Sequence, residues 1–186
     1  MQQKVHSTLS ELEINYGIQV IYACEAGSRG WGMASPNSDY DVRFIYAHPL
    51  DWYLSIDDGK DVIDLSLEGG KLDIHGWELR KTLRLLRKSN PSLLEWLQSD
   101  VQYRLHPMFA EEIQQLAYKC FSPIAGLHHY LRMAEGNYRK LMQREGKSLK
   151  FYFNILRPIL AAEFIVQYHR VPPLIFEDLV ESVPLE

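Results

Sequence analysis

Near residue 76 the hydrophobic period of this chain switches from that of strands to that of helices, and few architectures accommodate such a switch within 186 residues. Val5 to Tyr16 reads as a helix stopped at Gly17, and Ile18 to Cys24 as a buried strand. Gly30, Gly32 and Pro36 restrict Gly27 to Ser38 to a short helical turn. Asp39 to Ala47 reads as a strand with Val62 to Leu67 as its hairpin partner. The Gly69-Gly70 turn then predicts a short third strand, Lys71 to Ile74. Beyond Gly76, Leu79, Leu83 and Leu86 form an apolar stripe beside Arg80, Lys81, Arg84, Arg87 and Lys88. Asn90 followed by Pro91 is an N-cap signal for a helix over PSLLEWLQ. Further helices are expected over Met108 to Phe121, Pro123 to Arg144 and Leu149 to His169, the last kinked or broken at Pro158. The expectation is an α+β fold, with an α/β core in residues 1–100 and a helical subdomain in residues 101–186.

With 46% apolar residues the chain can fill a sizeable core, which argues against disorder. The net charge of -4 excludes a general nucleic-acid coat, but it is unevenly spread. Met1 to His75 hold 5 Lys/Arg against 12 Asp/Glu (-7), and the remainder holds 15 against 12 (+3). Cys24 and Cys120 lack CxxC or Cys/His spacing, so neither a disulfide framework nor a zinc site is expected, and a cytoplasmic setting is the default. No stretch reaches the ~18 uncharged apolar residues of a membrane span, so no membrane partner is expected. The terminal Leu185-Glu186 can be a cloning scar ahead of a purification tag, in which case native residues are missing beyond Pro184.

The chemistry concentrates in Gly27-Ser28 followed by Asp39-Tyr40-Asp41. Residues two apart on a strand share a face, so Asp39 and Asp41 converge, and like charges so placed raise one another's pKa unless a cation intervenes. Mg²⁺ resolves that conflict, being commonly held by one or two carboxylates together with substrate phosphates. Gly27 permits close backbone approach, Ser28 offers a hydroxyl and an N–H, and Arg29 adds charge, which together suit a phosphate. An exposed acidic strand start and an ordinary tight turn explain each half separately. The DxDx[T/V] motif of haloacid-dehalogenase-like phosphatases is a rival, but there the first aspartate ends a hydrophobic strand, whereas here Ser35-Pro36-Asn37-Ser38 precedes Asp39 and the apolar run follows.

GS followed by DxD and an apolar strand resembles the signature of the DNA polymerase β-like nucleotidyltransferases. The runs GSRGWGMASPNSDYDVRFIYAHPLDWYLSI, LDIHGWELRKTLRLLRKSNPSLLEWLQSD and LKFYFNILRPILAAEFI resemble the RNA repair pathway DNA polymerase β family, over roughly Gly27 to Phe176. The resemblance implies a small polymerase-β-like sheet flanked by helices and a two-metal transfer of an NMP from an NTP to a hydroxyl, with Mg²⁺ (two ions) or Mn²⁺ as cofactor. Asp39 and Asp41 would be metal ligands. A third acid is expected on a neighbouring strand, Asp73 in preference to Asp64 or Glu68, because it stands in the matching LDIHGW block.

By the same resemblance Gly27, Ser28 and Arg29 would bind the nucleotide. Arg43 shares the acids' strand face and would either pair with them or meet phosphate. Lys81, Lys150 and Arg157 are further candidates for nucleotide or nucleic acid, against the simpler use of such charges on solvated helix faces. Trp31 lies inside the phosphate loop and is the aromatic with a case for base stacking, while Trp77 and Trp96 read as packing. His75 is a neighbour of the metal site, a general base or simply structural, and His128-His129 have no partner at ligand spacing. Arg132, Arg139, Lys140, Arg144, Lys147, Lys150 and Arg157, interleaved with aromatics and offset by Glu135 and Glu145, form a basic segment suited to an RNA end or a triphosphate. The acceptor could be RNA, a protein or a small molecule. The alternative is a non-catalytic nucleotide- or RNA-binding module with the same fold. Oligomeric state has no signature.

Overall fold

The computed structural model describes residues 1–143 and 149–184. The candidate basic residues Arg144 and Lys147, with Glu145, and the terminal Leu185-Glu186 lie outside the described residues. Helix α1 (Gln2–Tyr16) buries Val5, Thr8, Leu9 and Leu12 along one stripe. Gly17 ends it in the left-handed conformation at φ 61°, where glycine carries no Cβ penalty.

Five strands follow, β1 (Gln19–Glu25), β2 (Tyr40–Ala47), β3 (Val62–Leu67), β4 (Leu72–Glu78) and β5 (Gln102–Leu105). They form one sheet in the order β3-β4-β2-β1-β5, in which only β2 and β4 run parallel. The helices between them are α2 (Gly27–Gly30), α3 (Leu50–Tyr53), α4 (Leu79–Arg87) and α5 (Pro91–Trp96). After β5 come α6 (Pro107–Cys120), α7 (Pro123–Met142), α8 (Leu149–Tyr168) and α9 (Phe176–Ser182).

Strand alternation divides the core in two. Val42, Phe44 and Tyr46 of β2 pack with Leu72 and Ile74 of β4 against α1. Ile45 of β2 and Tyr22 and Cys24 of β1 face the other way, into a cluster with Leu86 of α4, Leu93, Leu94 and Trp96 of α5 and Ile113 of α6. Asp41 and Arg43 stand on the same face of β2 as Ile45, so the acids share a surface with the helical layer. A third cluster joins α7, α8 and α9.

Four expectations change. Val62–Leu67 pairs antiparallel with β4 through the turn at Glu68–Gly70, and β2 lies parallel to β4 rather than in a hairpin with β3. The third strand reaches Glu78, because Gly76 leaves room for the Phe44 ring of β2, which a Cβ at that position would overlap. The buried stripe of α4 runs through Thr82 and Leu86, and Leu83 is exposed. Of the kink or break expected at Pro158, the break does not occur, and α8 continues through it as one helix. Proline leaves the carbonyl four residues earlier unpaired, and Asn137 Nδ2 of α7 donates to that Asn154 oxygen at 2.7 Å. β5 and α9 were not anticipated. β5 buries only Tyr103 among its four residues, too little alternation to detect. Among the described residues, no helix is long and apolar enough to cross a membrane.

Candidate active site

β1 ends in Glu25, which is 1% exposed although charged in water. Its Oε1 accepts the Asp41 backbone N–H at 2.8 Å, and its other oxygen accepts the Tyr103 hydroxyl. Burial pushes the Glu25 carboxyl above its ordinary range, opposed by those two hydrogen bonds. The Ala26 N–H then donates to the Asp41 carbonyl at 2.8 Å, so the end of β1 fixes the start of β2 through both backbone groups of Asp41. Gly27 follows with φ 57°, and a Cβ there would overlap Oδ2 of Asp41. Only glycine brings the turn so close to this carboxylate.

Parallel pairing sets Asp41 of β2 directly beside Asp73 of β4, and Arg43 beside His75. Arg43 bridges the two acids, with Nη1 2.8 Å from Asp73 Oδ2 and Nη2 3.1 Å from Asp41 Oδ1. The Asp41 carboxyl is nevertheless pushed above its usual range, chiefly by burial, which Arg43 opposes and Asp73 reinforces. Lys150 and Asp39 act on the same carboxyl in opposite senses, the lysine lowering and the aspartate raising its pKa. Asp39 itself lies one residue ahead of β2 and is exposed.

A cavity of about 330 Å³ opens beside Asp41. Gly27, Ser28 and Trp31 wall it on one side, and Lys150, Phe153 and Asn154 of α8 on the other. The Asp41 carboxylate, a turn hydroxyl and a lysine on α8 thus border one space, with Asp73 joined to Asp41 through Arg43. A family description, RNA repair pathway DNA polymerase beta family, matches residues 1–186. The chain belongs to that family. It is also 45% identical over 186 residues to the uncharacterized protein YcgL of Bacillus subtilis (strain 168), covering 100% of this chain and 71% of that protein. A solved nucleotidyltransferase-like protein from Exiguobacterium sibiricum 255-15 is 13% identical with a TM-score of 0.43. That alignment covers 98% of this chain, which spans only 63% of the solved one.

Membership in the RNA repair pathway DNA polymerase beta family gives the candidate residues a polymerase-β-like frame, and they can be sorted by place. Gly27, Ser28, Asp41, Asp73, Arg43 and Lys150 come together, with Asp39 at the margin. Asp64 lies on the edge strand β3, its side chain 68% exposed, and holds His75 Nδ1 at 2.9 Å. His75 thus stands between Asp64 and the acid pair and rests edge-on against Trp77 and Trp96, which stack at 3.9 Å. Arg29 turns away from the cavity. Its Nη2 donates to the Ser38 carbonyl at 2.8 Å and its Nε to that of Asp39 at 3.1 Å, and its guanidinium covers the Tyr40 ring.

Lys81 and Arg157, like Arg29, do not line the cavity. Lys81 follows the far end of β4, about 16 Å along the strand from Asp73, and pairs with Asp61 at 3.1 Å. Arg157 is buried and paired with Glu95 at 2.9 Å. Of the two histidines on α7, His128 is exposed, while His129 packs edge-on against Tyr130. Glu25 was missed by sequence reasoning, although an acid closing the apolar run VIYAC just ahead of Gly27 was its signal. Met33 and Asn154 also line the cavity, and nothing in the sequence set them apart, whereas Phe153 is one of the aromatics interleaved in the basic segment.

Proposed function

We propose that this chain is a Mg²⁺-dependent nucleotidyltransferase that moves an NMP from an NTP to a hydroxyl acceptor and releases pyrophosphate. The observation that carries this reading is Asp41, in register with Asp73, on a cavity that Ser28 and Lys150 also line. Among the described residues, no three His, Cys, Asp or Glu side chains are grouped so as to hold a metal ion as they stand. The donor set still fits magnesium, which takes one or two carboxylates and completes its shell with water and substrate phosphate. Arg43 between the two acids marks their midpoint as a place that favours positive charge. Asp41 and Asp73, with Asp39, would hold one or two such ions, or Mn²⁺, which supply charge neutralisation at the phosphates.

The chain's own side chains have separable tasks. Ser28 donates to a phosphate oxygen, and Lys150 offsets the negative charge of the triphosphate from α8. Arg43 is placed to exchange a carboxylate for phosphate as the nucleotide enters. Asp73, 39% exposed on its side chain, is the more accessible acid and takes the acceptor's proton. The acceptor oxygen bonds to the α-phosphorus as the bond between that phosphorus and the bridging oxygen breaks, so pyrophosphate leaves with the electron pair.

A labelled-NTP transfer assay over mixed RNA, protein extract and small hydroxyl compounds tests the proposal and identifies the acceptor by where label appears. Asp41→Asn and Asp73→Asn should abolish incorporation while the proteins stay folded; undiminished transfer in either variant rejects the assignment. The Arg43 bridge favours one second reading, a nucleotide- or RNA-binding module in which arginine replaces metal permanently. Calorimetry with Mg²⁺ and each NTP, alongside a pyrophosphate-release assay, separates the two. Binding without release across the acceptor panel selects the module.

A further inference from the structure

One ring on the cavity wall is held from behind by a buried cation. Trp31 lines the cavity, and the Arg157 guanidinium lies 4.5 Å from its ring centroid. Arg157 does not line the cavity, so the indole stands between the two. Arg157 is 2% exposed, its Nη1 donating to Glu95 Oε1 at 2.9 Å and its Nη2 to the Leu174 carbonyl at 3.4 Å. Tyr130 donates its hydroxyl to the same Glu95 oxygen at 2.8 Å, and Arg157 Nε is buried with no hydrogen-bond partner. The Phe176 N–H of α9 pins the Trp31 carbonyl at 3.0 Å.

Stability alone does not call for an arginine here. Apolar residues can often replace a buried ion pair at no cost or with a gain, and an unsatisfied buried donor is a penalty. A cation against an indole face, however, is attracted to it and fixes the ring plane. The cavity itself is two-ended. Asp41, Ser28 and Lys150 are its polar part, and Trp31, Met33 and Phe153 its apolar part, with the Asn154 amide able to donate and accept. A ligand with charge at one end and a flat heteroaromatic ring at the other matches that division.

We infer that Trp31 is the stacking platform for the nucleobase, and that Arg157 is a positioning residue that acts through Trp31. The inference rests on the reading of the cavity as an NTP site and adds to it which residues take the base. Arg157, by this account, never touches the nucleotide.

The test compares NTP binding with binding of inorganic tripolyphosphate, which carries the charge without a base, by calorimetry in Mg²⁺. Trp31→Leu should weaken the best-bound NTP roughly tenfold or more and leave tripolyphosphate within about twofold. Arg157→Met should show the same selective loss, Arg157→Lys a smaller one, and the double variant Trp31→Leu/Arg157→Met no further loss than Trp31→Leu. Trp31→Leu alters only a partly exposed ring and decides the matter where Arg157→Met fails to fold. Wild-type fluorescence quenching by NTP that disappears in Trp31→Phe supports the stacking directly. Equal losses for NTP and tripolyphosphate, or none in Trp31→Leu, overturn the inference while leaving nucleotidyl transfer standing. Failure of the wild type to bind any NTP overturns both.

Discussion

Burial makes the negative charge of Asp41 costly despite Arg43 and Lys150, which fits the catalytic role proposed for it. Its carboxyl is pushed up mainly by burial, with Asp73 and Asp39 adding to the effect. A folded-state pKa above the unfolded one means the native protein binds the proton more tightly. That stabilisation is complete below the unfolded pKa and is lost as pH rises through the folded value. Asp41→Asn keeps the shape without the charge. Melting curves without divalent cation should therefore show a variant at least as stable as wild type at neutral pH, the difference vanishing in acid, while transfer is lost. A variant markedly less stable at pH 7 would mean that the Arg43 pair outweighs desolvation. Gly27 supports the same residue sterically. Gly27→Ala, strained at φ 57° and overlapping Asp41 Oδ2, should cut transfer by an order of magnitude or more. Its stability loss should be only about 1–2 kcal/mol, read from denaturant unfolding.

At the level of elements, the parallel pairing of β2 with β4 makes the site, since it puts Asp41 beside Asp73. Gly76 holds that pairing close by admitting the Phe44 ring across the strands. Gly76→Ala should cost about 1–3 kcal/mol by overpacking, a fall in melting temperature of roughly 2–12 °C, and should reduce transfer as the register is disturbed. Unchanged melting would show that Phe44 moves aside freely. This pairing is also where sequence reasoning reached its limit. Alternation shows which residues of Asp39 to Ala47 share a face, but it contains no information on which strand lies next door. Asp73 was preferred through the family-like LDIHGW block, and periodicity alone left Asp64 equally open. The Gly69-Gly70 turn was legible because positive φ has a residue signature, at 64° and 93°. Met33 and Asn154 join the site through tertiary packing, which leaves no local mark. Lys81 looked functional because a basic helix follows Asp73, yet the intervening strand carries it to the far end of the sheet.

Across the whole molecule the uneven charge acquires a geometry. The acidic part holds the carboxylates, and α8 of the basic part faces them across the cavity with Lys150. The helical layer therefore borders the site, and under the proposed function its lysine acts on both the triphosphate and the acid. Lys150 lowers the Asp41 pKa, so removing its charge raises that pKa further. In Lys150→Met the acidic limb of the pH profile of kcat/KM should move to higher pH, since Asp41 must be ionised to work. The KM for NTP should rise by roughly an order of magnitude, and its dependence on salt should weaken because one phosphate-facing charge is gone. Lys150→Arg should restore both the limb and the salt dependence in part. A raised KM with an unmoved acidic limb would place Lys150 on the triphosphate alone and separate it from Asp41.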